Sequence, residues 1–177
     1  MLSQDMAAPA VSMAEAQAYA RVETGEEEAL LVGLVRSATA LCEAFTGRVL
    51  IARSFVEDLA ATSDWQRLAL TPVRSVDTVE RVATDGTAVM LTATDYAIDI
   101  DARGDGWVRL LSTNGGGRVR VSGRAGTADD PNGIPEPLRQ GILRLTAHLF
   151  ATRDGSGGEP PAAVTALWRP YRRMRLA

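Results

Sequence analysis

Two stretches of the chain carry apolar residues at the three- and four-residue spacing of an amphipathic helix. The first begins after three acids at residues 26–28, where the helix dipole favours negative charge, and ends at Gly47, a plausible C-cap. The second follows Pro135 and Pro137, which suit the first turn of a helix. The first stripe consists of Leu30, Leu31, Leu34, Val35, Ala38, Leu41, Cys42 and Phe45, and the second of Leu138, Ile142, Leu145 and Leu149.

Shorter helices are indicated near both termini. Ser12 and Glu15 have the spacing of a capping box and predict a helix over residues 13–21. A second capping box is predicted at residues 24–27, at the start of the first long helix. Pro161 predicts the start of a last short helix that Pro170 ends.

Residues 49–124 have a different sequence pattern, with short β-branched runs separated by turn residues. The Asp85-Gly86 pair predicts a hairpin between two of these runs. We expect strands at residues 49–59, 65–70, 76–83, 88–91, 96–100, 107–111 and 118–124.

The order of these elements predicts an α+β fold. Neither long helix can bury its stripe alone, so we expect the two helices to pair as an α-helical hairpin or bundle. A small antiparallel β domain is inserted between them, and a C-terminal extended tail follows. The predicted organisation is a flexible N-terminus (1–11), a helical core (12–48 and 134–153), the inserted β domain (49–124) and a hinge, short helix and Arg/aromatic tail (154–177).

Charge is unevenly distributed along the 177 residues. The formal net charge is −3, and all 19 basic residues are Arg. Four of them (Arg169, Arg172, Arg173 and Arg175) lie near the C-terminus, so the remainder carries −7. An acidic body argues against a general DNA-binding surface, which needs a broad basic face.

Catalytic and metal-binding patterns are weak. The single His148 excludes a His cluster within one chain, and the single Cys42 excludes an intrachain disulfide. Cys42 lies on the apolar stripe, so we interpret it as a buried structural thiol. Residues 99–110 begin like a calcium loop, but Arg103 and Leu110 occupy two ligand positions. We therefore expect no enzyme, no metal and no cofactor.

Membrane and export signals are also weak. No uninterrupted run reaches the roughly 20 apolar residues of a membrane span. The N-terminus lacks the pattern of a secretory signal, and the chain has a single cysteine, so we expect synthesis in a reducing cytoplasm and no membrane partner.

The last twelve residues combine Arg with aromatic side chains, the residue types that dominate protein interfaces. Three readings are open: binding to another protein, packing against the body of the same chain, and contact with DNA. The candidate residues are Trp168, Arg169, Tyr171, Arg172, Arg173 and Arg175.

Three stretches together resemble the head–tail connector (adaptor) proteins of tailed phages, the gp6-like and gp8-like group. They are residues 42–48 (CEAFTGR), residues 70–76 (LTPVRSV) with the following hairpin, and residues 134–142 (IPEPLRQGI) with their continuation to residue 173. The Arg-only, Ala-rich composition also resembles the adaptor of alphaproteobacterial gene transfer agents.

This resemblance implies a structural protein of the virion neck. Such adaptors form a homo-oligomeric ring, typically of twelve copies, on the portal protein at the capsid vertex. The ring extends the DNA channel, through which DNA passes without tight binding, and meets a downstream neck, stopper or tail protein.

The resemblance also assigns roles to residues of this chain. The C-terminal segment, with the candidates named above, reaches towards the portal. For the long helices, we expect those of neighbouring copies to pack side by side into the ring wall. The residues that we expect in the core and ring helices are Leu30, Leu34, Leu41, Phe45, Leu138, Ile142, Leu145 and Leu149.

Two other classes of function stay open. A DNA-binding or packaging accessory would use the C-terminal Arg cluster as a phosphate clamp, and its binding to bare DNA would be salt-sensitive. An enzyme on the same fold would need a deep polar pocket.

Overall fold

The computed structural model describes residues 1–4, 8–22, 27–112, 117–153, 159 and 161–173. The described residues form two compact units, which lie within residues 1–6 and 52–126 and within residues 7–51 and 127–177. The mixture of helices and antiparallel sheets confirms the predicted α+β class. The helices are α1 (Met13–Ala20), α2 (Glu28–Thr46), α3 (Glu136–Ala151) and α4 (Ala162–Trp168), with single 3₁₀ turns at Pro131–Gly133 and Arg169–Tyr171.

Helix α3 is the centre of the helical unit, and α1, α2 and α4 pack around it. The predicted capping box at Ser12 and Glu15 is present at the start of α1, and Gly47 ends α2 with a φ of 67°. A positive φ is strained for other residues, which explains the glycine. Residues 23–26, which hold most of the second predicted capping box, lie outside the described residues, and Glu27 makes no side-chain cap.

The β unit contains a five-stranded sheet in the order β1-β2-β8-β4-β5 and a three-stranded sheet in the order β3-β7-β6. All of the named strand pairs are antiparallel, and β8 is the central strand of the larger sheet. The strands are β1 (Leu2–Gln4), β2 (Arg53–Ala60), β3 (Gln66–Arg67), β4 (Val73–Val82), β5 (Ala88–Met90), β6 (Tyr96–Ile100), β7 (Gly106–Leu110) and β8 (Arg118–Ala125).

The N-terminal residues are not the flexible lead that the sequence suggested. Strand β1 pairs with β2, with Leu2 opposite Glu57, and the Met1 ammonium donates to the Asp58 carbonyl at 3.0 Å. Ala10 and Val11 are fully buried in the core of the helical unit. A three-residue strand held by backbone hydrogen bonds needs no apolar alternation, so composition gave no sign of it. Residues 5–7 lie outside the described residues.

The boundary of the β unit also differs from the predicted one. The sequence pattern predicts Val49, Leu50 and Ile51 in the first strand, but they belong to the helical unit. There they are buried, and Ile51 forms an isolated bridge with Ala128. An apolar β-branched run serves a helical core as well as a sheet, and the sequence pattern does not distinguish the two.

Helix α2 is long and apolar enough to cross a membrane, judged by length and composition alone. The core helix of a soluble bundle also meets this criterion, and one face of α2 packs in the core of the helical unit. Only 33% of its most apolar 18-residue window is buried. Much of the apolar character of α2 therefore lies on its outer side.

Candidate partner interface

The C-terminal segment, defined here as residues 161–177, is the candidate binding region. Its described part, residues 161–173, packs against α2 and α3. Helix α4 begins after Pro161, and Val164 and Trp168 are buried one turn apart on its inner face. The second of the three readings of this segment, packing against the same chain, therefore holds for residues 161–173.

Trp168 is a core residue with only 3% of its surface exposed. Its indole Nε1 donates to the carbonyl of Leu138 at 3.2 Å, and its ring centroid lies 5.9 Å from that of Phe45. A Cβ placed at Gly141 would overlap Nε1 and lie 2.8 Å from two ring carbons. The assignment of Trp168 to a partner-binding surface is therefore wrong in this conformation.

The error has a physical cause. Trp is frequent in interfaces and in cores for the same reason, its large apolar surface. The site that accepts Trp168 is formed by Gly141, 27 residues earlier in the sequence. A glycine inside a strongly helical pattern costs about 1 kcal/mol relative to Ala, so its presence indicates that a neighbouring group packs closely against it. Gly141 in the α3 pattern was therefore a sign of this packing in the sequence.

The segment continues past Trp168 along the C-terminal end of α2. The Arg172 guanidinium lies 5.5 Å from the Phe45 ring centroid, and the backbone N–H of Arg173 donates to the carbonyl of Thr46 at 3.0 Å. The last turn of a helix has carbonyls without intrahelical partners. The C-terminal segment satisfies one of these carbonyls, which holds Arg173 beside the end of α2.

Two cations of this segment face outward. Arg169 and Arg172 are exposed and three residues apart, and neither forms an ion pair with a described residue. Arg139 and Arg153 of the same unit differ, because each is paired with glutamate. The guanidinium groups of Arg169 and Arg172 can therefore donate hydrogen bonds to carboxylates of a partner. We call these two residues the basic pair.

The remaining candidates of this segment are less exposed or lie outside the described residues. Tyr171 and Arg173 are half-buried, and Arg175 belongs to residues 174–177, which lie outside the described residues.

The predicted ring and core residues separate into two groups. Leu138, Ile142 and Leu145 are buried, and Phe45 and Leu149 pack against the same core. Leu30 and Leu41 are 42% and 50% exposed, and Leu34 is half-buried. The buried face of α2 is instead formed by Leu31, Val35, Ala38 and Cys42.

The groups with candidate chemistry have structural roles. Burial and the neighbouring Glu43 raise the pKa of Cys42 to about 12, so the predicted buried thiol is confirmed and is unreactive at neutral pH. Asp101 Oδ1 accepts the backbone N–H groups of Arg103 and Asp105 at 2.8 and 2.9 Å, which orders the calcium-like loop as a turn. The described residues include no group of three or more His, Cys, Asp or Glu side chains that could hold a metal ion.

No protein-family model and no curated protein sequence matches this chain. Three solved structures contain chains similar to it along its whole length. The first is the neck of an empty gene transfer agent (GTA) particle computed with C6 symmetry. The similar chain has 28% identity and a TM-score of 0.81, and the match covers 100% of this chain and 97% of that chain.

The other two structures have the same coverage and 27% identity. One is the virion of a native gene transfer agent (GTA) particle, with a TM-score of 0.78. The other is the neck of a native GTA particle computed with C12 symmetry, with a TM-score of 0.79. These chains share the fold of both units.

Proposed function

We propose that this chain is a structural head–tail adaptor in the neck of a phage-like particle of the gene transfer agent type. The observation that carries the proposal is the similarity over the whole chain, at a TM-score of about 0.8, to chains of GTA necks and virions. A structural role in a neck accounts for both units together, because the similarity covers them both.

In this proposal, copies of the chain form a ring around the particle axis. The C6 and C12 symmetries of the similar neck structures support such an arrangement, and twelve is the copy number that we propose. The ring extends the DNA channel between the portal protein and a downstream neck or tail protein.

The contact with the portal protein is assigned to the exposed cations of the C-terminal segment. Arg169 and Arg172 lack carboxylate partners among the described residues, and guanidinium groups pair with carboxylates in a planar, two-bond geometry. Residues 174–177 add Arg175. Trp168 anchors this surface, because its buried indole holds the backbone of the C-terminal segment in place directly before Arg169. A ring would multiply a modest affinity per copy through effective concentration.

A pull-down with the purified portal protein tests this assignment. A chain shortened before Trp168 is unsuitable as a variant, because it would lose a core residue and could fail to fold. We instead compare the full chain with a chain ending at Arg173 and with the double variant Arg169→Glu, Arg172→Glu. The control is Arg144→Glu, which reverses an exposed charge on α3. Duplex DNA serves as a second bait, and each binding is measured at low and high salt.

We expect the full chain and the Arg144→Glu control to bind the portal protein. The double variant should bind at least tenfold more weakly, since two charge reversals cost more than the roughly 1.4 kcal/mol that a tenfold change requires. Unchanged binding of the double variant would refute the portal assignment. Retention on DNA alone, released by salt, would favour a DNA-binding accessory protein.

A further inference from the structure

The outer side of α2 presents a continuous surface of small and apolar residues. We call it the α2 outer face. Leu30 and Leu41 lie three turns apart on it and are 42% and 50% exposed. Arg36 is exposed between them in the sequence and lies at one edge of this face, and the residues of the face itself carry no charge. The face consists of Leu30, Gly33, Leu34, Ser37, Ala40 and Leu41.

This composition is unusual for the solvent side of a helix. A surface helix normally places charged and polar residues opposite its buried stripe. The only hydroxyl on the face, Ser37 Oγ, donates to the carbonyl of Gly33 at 3.0 Å, so its donor is already satisfied within the helix. Covering the face would therefore remove apolar area from water without leaving a buried donor unpaired.

The face is also open to close approach by another chain. A Cβ at Gly33 would meet no atom within 4 Å, so this glycine is not required by the packing of the chain itself. A glycine in the middle of a helix costs up to about 1 kcal/mol relative to Ala. Small residues in the middle of the face leave room for a partner between the two flanking leucines.

We infer that the α2 outer face is the surface through which each copy packs against the next copy in the ring. This inference rests on the proposed function. The C6 and C12 symmetries of the similar neck structures place copies of a chain around an axis, so each copy needs a lateral contact. Apolar, satisfied surfaces suit permanent contacts between subunits, while exposed cations suit a separate partner.

The symmetry also determines the type of contact. In a closed ring of more than two copies, neighbouring copies meet head to tail, so the two sides of the interface are different surfaces. The α2 outer face therefore packs against another surface of the neighbouring copy, not against the same face.

A photo-crosslinking experiment in assembled particles identifies which protein packs against the α2 outer face. Producing cells that lack the chain are supplied with full-length chain carrying benzoylphenylalanine at Ser37. Irradiation should give adducts at twice the chain mass and at higher multiples, and mass spectrometry should identify both partners as this chain. Particles that contain the chain but give no adducts, or adducts only with another protein, would overturn the inference and leave the proposed function standing. If the unsubstituted chain is absent from particles, the proposed function itself fails.

A pair of matched variants measures the contribution of the leucines. Leu30→Ser with Leu41→Ser removes the exposed halves of two leucines, which should weaken lateral association roughly 30-fold. Val89→Ser with Met90→Ser is the control, since these β5 residues are 59% and 63% exposed and lie in the other unit.

Copies per particle are counted by quantitative mass spectrometry, and circular dichroism verifies that each variant is folded. The α2 pair should lower the copy number and the β5 pair should leave it unchanged. Equal copy numbers for the two pairs, whether lowered or not, would overturn the assignment to α2.

Discussion

The substitution Gly141→Ala tests the packing that anchors the C-terminal segment. Gly141 lies in the interior of α3, and the Trp168 indole lies directly on its backbone. A Cβ at this position would overlap Nε1 and lie 2.8 Å from Cδ1 and Cε2 of the ring. The indole cannot move away freely, because it donates to Leu138 and is buried among core residues.

The size of the effect follows from two opposing contributions. Ala gains about 1 kcal/mol over Gly in a helix interior. Overpacking a buried site typically costs about 1–3 kcal/mol, and an overlap with three ring atoms falls at the upper end of that range. We therefore expect a net loss of about 2 kcal/mol in the free energy of unfolding. Complete expulsion of Trp168 sets the upper limit, at the roughly 3–5 kcal/mol of a Trp-to-Ala change in a core.

The assay is urea unfolding of the full chain, followed by the helical signal in circular dichroism. Gly33→Ala is the matched control, because Gly33 is also inside a helix but a Cβ there meets nothing within 4 Å. The control should be stabilised by up to about 1 kcal/mol. In a Trp168→Ala background the overlap is gone, so Gly141→Ala should then become stabilising as well. If Gly141→Ala alone behaves like Gly33→Ala, the anchoring role of Trp168 is refuted.

Three further outcomes are expected. Ser12→Ala should cost about 1 kcal/mol of stability. Hydrogen bonds from Ser12, together with Arg139, lower the pKa of Glu15, so the stability that the ionised Glu15 carboxylate contributes should be present above pH ~4.3 and lost as pH falls through the lowered value in unfolding curves. Cys42 should resist thiol reagents in the native state and react once per chain in denaturant. Burial raises the pKa of Glu57, so stability should fall as pH rises from ~4.3 through the raised value, and Glu57→Gln should remove that fall.

The sequence alone determined the elements whose signals are local. The two apolar stripes gave α2 and α3, the Ser12 and Glu15 pair gave the cap of α1, and Gly47 gave the end of α2. The alternating runs between them gave the strands of the β unit to within a few residues at their ends. Each of these signals depends on the conformation of a few neighbouring residues, and a sequence displays such information directly.

The same signals left the partners of each element undetermined. Strand β1 has no apolar alternation and is held by backbone hydrogen bonds to β2, so only the folded chain reveals it. Residues 49–51 form an apolar run that a sheet or a helical core could accept, and the helical unit takes it. In both cases the deciding contact involves residues far away in the sequence.

The candidate site shows the same division. The sequence placed the Arg and aromatic residues together near the C-terminus, and it identified the apolar residues of α2. Only the tertiary structure decided that Trp168 is buried against Gly141, that Arg169 and Arg172 face outward, and that Leu30 and Leu41 lie on the exposed side of α2. The physical reason is that periodicity reports which residues share a helix face, whereas exposure depends on which neighbouring elements cover that face.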